Sequence, residues 1–290
     1  MNAPLSTNAS SSETPVSSTA ASANRPGVDG ANLTAREVRE LIRHGAHRAP
    51  TAGLARGFVQ ANVVIVPADW ADEFALFCER NPQPCPLIHR TAPGDFRLDA
   101  VALEGDLRTD VPRYRVFRDG RPDLEEYESI EELWRDDFVG FLIGCSFTFE
   151  AALLRAGVPI RHIELGRNVP MFRTNVACRD AGRFSGPLVV SMRPIPDALL
   201  SLAAAITGRQ PAMHGAPVHI GDPAALGIAN VDRPDFGEAV PIHPGETPVF
   251  WACGVTPQLA LLEAKPPIAI THSPGCMFIT DLKDEQFETA

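Results

Sequence analysis

The stretch from Phe138 to Glu150, FVGFLIGCSFTFE, decides the interpretation of the fold. A mostly apolar run comes first, and the apolar side chains from Ala151 onward then recur at a helical period. The stretch therefore predicts a strand, a tight turn at 144–146 and a helix. Because the first N–H groups of a helix have no partner within it, this turn is a candidate binding site for a carboxylate or a phosphate.

Transitions of the same kind, from an apolar strand into a helix, recur along the chain. The apolar runs at 61–66, 217–220, 249–253 and 267–272 each end in a turn that contains Gly, Pro or Ser. Strands that alternate with helices are typical of an α/β fold with a parallel sheet. We therefore predict the α/β class.

The order of the elements also predicts a domain organisation. Residues 1–32 are rich in Ser, Thr and Ala, and we predict a disordered tail there. Order should begin near Leu33, where Thr34 and Glu37 form the capping-box pattern of a first helix. We predict a three-layer α/β/α main domain and a smaller two-layer α+β domain inserted into it, with the main domain at 33–146 and 209–290 and the insertion at 147–208.

Composition limits the classes of partner. The chain has 290 residues, a net charge of -10 and 44% hydrophobic residues, enough to bury a core. We predict no nucleic-acid partner because no long basic run is present, and no membrane span because the apolar stretches are shorter than the roughly 20 residues required. The six cysteines form no C-x-x-C pair, which indicates reduced thiols and a cytoplasmic location. The oligomeric state, including a homo-oligomer, stays open.

Four residues near the predicted turns are candidates for catalysis. In parallel α/β sheets, ligands bind beyond the carboxyl ends of the strands, so we expect the turns at 144–146, 221–222, 253–256 and 272–276 to converge. A helix N-terminus could lower the pKa of the Cys145 thiol, although free cysteines are more often buried apolar side chains. Imidazoles and carboxylates suit proton transfer, although a structural role is an equal alternative for the histidines. The candidates are Cys145, His214, Asp222 and His272.

A second group of residues is predicted to bind the substrate. Arg173 and Arg193 interrupt apolar strands, and a buried Arg needs a carboxylate from the protein or the substrate. Ser146 follows the predicted turn, where a helix cap is the alternative role. The candidates are Ser146, Asn175, Arg193, Gly254 and Thr256. The sequence has no Gly-rich phosphate loop, and its histidines lack metal-ligand spacing, so we predict neither a cofactor nor a metal.

Several long strings together resemble a known family. They are GCSFTFEAAL, NVPMFRTNVAC, GPLVVSMRPIP, HGAPVHIGDPAALGI, PVFWACGVTPQ and ITHSPGCMFITDL. These strings are similar to the hydro-lyase family also called DUF1445, which includes D-glutamate cyclase, and the resemblance covers about 33–282. It implies an α/β domain with a smaller α+β domain and a cofactor-independent hydro-lyase (EC 4.2.1 type). The implied substrate is a small amino-acid-derived carboxylate, with D-glutamate and 5-oxo-D-proline as first candidates.

Two other functions remain as alternatives. One is a non-catalytic carboxylate-binding accessory protein of 5-oxoproline metabolism, which would bind its ligand without turnover. The other is a transferase that uses Cys145 as its nucleophile. A serine hydrolase is disfavoured because Thr148 stands where the G-x-S-x-G motif requires its second Gly.

Overall fold

The computed structural model describes residues 30–289. Within them the α-helices are α1 (Ala35–Arg43), α2 (Ala68–Arg80), α3 (Ser146–Arg155), α4 (Arg161–Glu164), α5 (Leu200–Gly208) and α6 (Val255–Ala264). The strands are β1 (Phe58–Pro67), β2 (Leu87–Arg90), β3 (Tyr114–Arg118), β4 (Arg121–Pro122), β5 (Phe138–Gly144), β6 (Met171–Ala177), β7 (Pro187–Pro196), β8 (His219–Ile220), β9 (Glu246–Ala252), β10 (Ala269–His272) and β11 (Phe278–Lys283). Short 3-10 turns lie at Gly30–Asn32, Glu131–Leu133, Asp197–Leu199, Pro211–Met213, Pro223–Leu226 and Asp284–Phe287.

The first sheet is built around the apolar strand β5. Its strand order is β2-β5-β1-β10-β3-β4, and β11 also pairs with β1. β5 pairs with β1 along its whole length, from Ala61 opposite Gly144 to Pro67 opposite Phe138. Val64 and Val66 pack in one core cluster, whereas Val63 and Ile65 pack in another. Alternate residues of β1 are therefore buried on both faces of the sheet, which explains the continuous apolar run.

The second sheet has the order β6-β7-β9-β8. It includes β8 and β9, which follow residue 208, so the predicted insertion at 147–208 contains only two of its four strands. With mixed helices and two sheets, the predicted α/β class is confirmed. The expectation of parallel strands is wrong, since every pairing between the described strands is antiparallel.

Helix α3 explains why the parallel expectation fails. A strand followed by a turn and a helix has the same local sequence pattern whether or not the helix returns to the same sheet. α3 leaves the end of β5 and buries Phe149 and Leu153 with Ile195, Val249 and Trp251 of the second sheet. The helix thus links the two sheets instead of crossing back to a parallel neighbour of β5.

The N-terminal cap of α1 follows the prediction. Thr34 Oγ1 accepts from the Glu37 N–H at 3.2 Å, and a Glu37 carboxylate oxygen accepts from the Thr34 N–H at 2.7 Å. The predicted capping box is therefore confirmed. Most of the predicted tail, 1–29, lies outside the described residues, and its last three residues form a 3-10 turn. Between residues 30 and 289, no helix has both the length and the apolar character needed to cross a membrane.

Candidate functional site

A buried charged network joins α3 to β7. The Arg193 Nε–H donates to Glu150 Oε1 at 2.9 Å, and Nη2 contacts the same oxygen. Nη2 also donates to Ser146 Oγ at 3.1 Å, and Nη1 donates to Ser191 Oγ at 2.9 Å. The network forms because Ser146 and Glu150 are four residues apart on one helix face, while Ser191 and Arg193 are two apart on one strand face. The carboxylate partner expected for Arg193 is thus supplied by the protein.

Aromatic rings and a histidine surround this network. The Arg193 guanidinium carbon lies 5.0 Å from the centre of the Phe149 ring and 5.4 Å from that of Trp251. His162 Nε2 is 3.2 Å from Glu150 Oε1. Burial raises the pKa of Glu150, but Arg193 and His162 outweigh that effect and bring the pKa down to about 2. Glu150 is therefore ionised at neutral pH, with its charge balanced by Arg193.

Three of the four predicted turns meet at Asn62 of β1. Its Nδ2 donates to Gly144 O at 2.8 Å, and its Oδ1 lies 3.1 Å from His272 Nε2. A side chain at Gly254 would overlap the Asn62 amide, so only glycine fits there. The antiparallel register of β1 and β5 places Asn62 beside the end of β5. The turns at 144–146, 253–256 and 272–276 therefore lie together although the sheet is not parallel.

Both ring nitrogens of His272 have neighbours within hydrogen-bond distance. Nδ1 is 2.8 Å from Ser273 O, and Nε2 is 2.9 Å from the side-chain nitrogen of Gln258. Burial lowers the pKa of His272 to about 4, against the opposite effect of the Ser273 carbonyl. The imidazole is therefore neutral at pH 7; it links β10 to α6 through Gln258 and lies against Asn62 of β1.

His214 is buried in a different way. Its Nδ1 is 2.9 Å from Gln83 O, which can only accept, so the proton is on Nδ1 and Nε2 is a bare acceptor. Nε2 is buried and has no hydrogen-bond partner among residues 30–289. Burial first, and the charge of Arg193 in addition, lower the pKa of His214 to about 4. His214 thus offers an unprotonated, unpaired base at neutral pH.

The backbone holds His214 close to the start of α3. His214 ends the 3-10 turn Pro211–Met213 in the left-handed conformation, with φ of 75°. Such backbone strain in a residue other than glycine is concentrated at functional sites. A methyl group on Gly144 would overlap Ala212 O, so this turn packs directly on the end of β5. The 144–146 turn, the Arg193 network and His214 are neighbours for this reason.

The thiols at the turns are protonated. Burial raises the pKa of Cys145 to about 12, and the Phe147 N–H opposes this only in part. Burial likewise raises the pKa of Cys253 to about 11. The lowering expected for Cys145 at a helix N-terminus is absent because desolvation of the thiolate outweighs the helix dipole.

The remaining predicted residues have other surroundings. Asp222 is exposed, and its carboxylate accepts from the Ala224 N–H at 2.9 Å as the cap of a 3-10 turn. Asn175 is exposed on β6. The Thr256 hydroxyl bonds to both the N–H and the carbonyl of Val189, at 2.9 Å and 3.2 Å. Arg173 is also exposed, with its guanidinium 5.5 Å from the centre of the Phe236 ring.

Several members of the site were not found from the sequence. They are Asn62, Glu150, His162, Ser191 and Gln258. Two signals were available: Asn62 is a polar residue inside an apolar run, and Glu150 stands one helical turn after Ser146. Ser146 is the first residue of α3 and receives a bond from Arg193, so the alternative role of helix cap is wrong. Among residues 30–289, no group of three or more His, Cys, Asp or Glu side chains is arranged to hold a metal ion.

The fold and the site define a two-sheet α/β protein with a buried centre of carboxylate, guanidinium, hydroxyl and imidazole groups. Residues 139–281 match the D-glutamate cyclase family. A protein from Saccharopolyspora erythraea named "Putative hydro-lyase" is 60% identical over 86% of this chain and 97% of its own length. Another of that name, from Stutzerimonas stutzeri, is 57% identical over 88% of this chain and 96% of its own. The chain belongs to this D-glutamate cyclase-like hydro-lyase family.

A solved structure also matches, but only weakly. It is a nitrogen repressor-like protein from Methanococcus jannaschii, with a TM-score of 0.37 and 11% identity over 84% of this chain and 97% of that one. A structural similarity at this level supports no functional argument.

Proposed function

We propose that this protein is a cytoplasmic hydro-lyase that interconverts D-glutamate with 5-oxo-D-proline and water, without a cofactor. Family membership supports the reaction class, and the buried unpaired Nε2 of His214 is the single observation that carries the mechanism. It is a base that is unprotonated at neutral pH and lies in the field of Arg193. Such a group is free to accept a proton at neutral pH, and its low pKa makes the protonated ring a strong acid toward a departing oxygen.

The reaction balances without any further reactant. In the forward direction the amine nitrogen of D-glutamate attacks the side-chain carboxyl carbon, so a C–N bond forms and one C–O bond breaks. Two protons of the ammonium group leave with that oxygen as water. His214 Nε2 accepts the first of these protons, which frees the nitrogen lone pair, and delivers it to the attacked carboxylate; after the C–N bond has formed it accepts the second from the nitrogen and delivers it to the departing oxygen.

The neighbouring turns supply the other functions that this chemistry needs. The 144–146 turn at the start of α3 would hold the α-carboxylate, since a helix N-terminus favours an anion. Gly254 precedes α6 and offers a backbone N–H to the oxyanion of the tetrahedral intermediate. His272 has both nitrogens occupied, Nδ1 by the Ser273 carbonyl and Nε2 by the Gln258 amide, so its role is structural.

Two properties of the site distinguish this function from the alternatives. A Cys145-dependent transferase needs a thiolate, whereas the pKa of Cys145 is raised to about 12. An accessory protein needs only a carboxylate site and has no use for a buried unpaired imidazole. The hydro-lyase function requires no thiolate at Cys145 and uses the unpaired imidazole of His214 as its base.

The test is direct incubation of the purified protein with each compound of the pair. Chiral chromatography should show D-glutamate appearing from 5-oxo-D-proline and the reverse, with the L-enantiomers as controls. His214→Asn should reduce turnover by roughly 10²- to 10⁴-fold, whereas His219→Asn, on strand β8, should not. Folded protein that turns over neither compound would exclude this substrate pair, and binding without turnover would favour the accessory function.

A further inference from the structure

The role of Arg193 is decided by its hydrogen bonds. A guanidinium group carries five N–H donors. Four hydrogen bonds already leave it: two to Glu150, one to Ser146 and one to Ser191. The side chain is fully buried beside the Phe149 and Trp251 rings, and its charge is neutralised by Glu150. Arg193 therefore keeps only one free N–H and no uncompensated charge, too little for a bidentate clamp on a substrate carboxylate.

Ser146 and Ser191 each keep a hydroxyl donor that the network does not use. Because Arg193 can only donate, Ser146 Oγ and Ser191 Oγ must accept, and each hydroxyl hydrogen remains available. Within residues 30–289, neither hydroxyl donates a hydrogen bond to the protein. Ser191 is fully buried inside β7, whereas Ser146 is 6% exposed at the first position of α3. Ser146 is thus the member of the network whose hydroxyl can reach a ligand at the helix start.

We propose that the Ser146 hydroxyl binds the α-carboxylate of the substrate, and that Glu150, Arg193 and Ser191 are positioning residues that hold this hydroxyl as a donor. The proposal rests on the proposed function in one respect, the carboxylate substrate. D-Glutamate and 5-oxo-D-proline both keep their α-carboxylate throughout the reaction, so one subsite serves both directions. The partial positive charge at the N-terminus of α3, a helix of 10 residues, favours the same anion.

The arrangement accounts for the buried ion pair. A guanidinium that faced the substrate directly would have to exchange partners during each turnover. Fixed between one carboxylate, two hydroxyls and two rings, Arg193 instead occupies a lone pair of Ser146 Oγ and leaves the hydroxyl hydrogen free to donate. Preorganised donors of this kind bind an anion with little reorganisation.

The proposal is tested by measuring how a change in the protein and a change in the ligand combine in their effect on binding affinity. Calorimetry would compare 5-oxo-D-proline with its carboxamide, 5-oxo-D-prolinamide, on the wild-type protein, Ser146→Ala and the control Ser201→Ala, an exposed serine of α5. We expect Ser146→Ala to weaken binding of the carboxylate about tenfold and to leave that of the carboxamide within about twofold. Ser201→Ala should change neither. Equal losses for both ligands, or no loss for the carboxylate, would overturn the proposal.

Ser191→Ala tests the positioning role separately. It removes one acceptor of Arg193 without touching the ligand, so we expect a smaller loss, about threefold, again specific for the carboxylate. A general structural defect would instead weaken both ligands and lower the melting temperature. A carboxylate affinity unchanged from the wild type would refute the positioning role of Ser191.

The outcomes also separate this proposal from the proposed function. Wild-type protein that binds 5-oxo-D-proline through Ser146 but never turns it over would refute the hydro-lyase function and leave the carboxylate subsite intact. If the wild-type protein turns the compound over but Ser146→Ala leaves its affinity for the carboxylate unchanged, the carboxylate subsite at Ser146 would be refuted and the hydro-lyase function would stand. Wild-type protein that does not bind 5-oxo-D-proline would refute both.

Discussion

Two buried polar networks meet at the start of α3, and they differ in what they leave unpaired. The network of Asn62 is neutral, and both nitrogens of its His272 have neighbours at 2.8 to 3.1 Å. The network of Arg193 is charged, and the groups around it keep unused capacity: the Ser146 hydroxyl hydrogen and, in the field of Arg193, Nε2 of His214. A saturated network fixes structure, whereas unpaired buried groups destabilise the fold unless a ligand completes them.

Burial alone would not have separated the two histidines. Both are almost completely inaccessible, and the pKa of each is lowered to about 4. Only the hydrogen-bond partners distinguish a ring that is held on both sides from one that is held on one side. Hydrogen-bond partners therefore separate these two histidines where depth and pKa do not.

The largest expected effect is on activity and belongs to His214. His214→Asn keeps a residue that tolerates the left-handed conformation, so the fold should persist while proton transfer is lost. We expect kcat to fall by roughly 10²- to 10⁴-fold, as is typical for removal of a general base. His272→Asn should cost kcat less than about tenfold. Steady-state kinetics on both variants, with circular dichroism as the folding check, would show this contrast, and equal losses would contradict it.

A comparable effect on stability is expected from the charged network. Glu150→Gln leaves the buried guanidinium of Arg193 without its counter-ion, which typically costs about 3 to 5 kcal/mol. The matched control is Asp137→Asn, which breaks the exposed pair with Arg135 and should cost less than about 1 kcal/mol. Urea unfolding would measure both. Equal and small losses would mean that the network does not depend on its charges.

Stability should also depend on pH through both histidines alike. Their pKa values are lowered in the folded protein, so between pH 6.5 and 4 the unfolded chain binds more protons. Stability is therefore fully present above pH 6.5 and is lost as the pH falls, by about 1.4 kcal/mol per pH unit for each histidine. In urea titrations at pH 7 and pH 5, His214→Asn and His272→Asn should each reduce this slope. A slope unchanged in either variant would show that the histidine is not buried as a neutral ring.

The smallest of these effects is expected in the neutral network. Asn62→Ala removes the bond to Gly144 O and the packing of the amide against His272, which should cost about 1 to 3 kcal/mol because the Gly144 carbonyl stays buried. Asn175→Ala, at an exposed amide on β6, should change the free energy of unfolding by less than about 0.5 kcal/mol. An Asn62→Ala variant as stable as Asn175→Ala would show that Asn62 does not hold the turns together.

The sequence predicted what depends on neighbouring residues. The apolar run that becomes β5, the helix after Cys145 and the Thr34 capping box all follow from local patterns. Strand direction did not follow, because it depends on where α3 packs after it leaves β5, and α3 packs on the other sheet.

The candidate site was predictable to the same degree. Arg193 could be expected to have a carboxylate partner, but Glu150 could be identified only once α3 and β7 were placed side by side. The free nitrogen of His214 depends on Gln83, a residue far away in the sequence. Asn175 and Asp222, by contrast, lie near predicted strand ends but are exposed.

The pH dependence of kcat/KM for ring opening of 5-oxo-D-proline tests most directly whether His214 moves the proton. The base must be unprotonated to act, so kcat/KM should be constant from pH 8 to about 5 and fall below that with an apparent pKa near 4. His214→Asn should abolish this profile together with the activity, while circular dichroism confirms that each sample remains folded. A profile that falls with an ordinary histidine pKa near 6.5, or one that persists in His214→Asn, would contradict the assignment of His214 as the base.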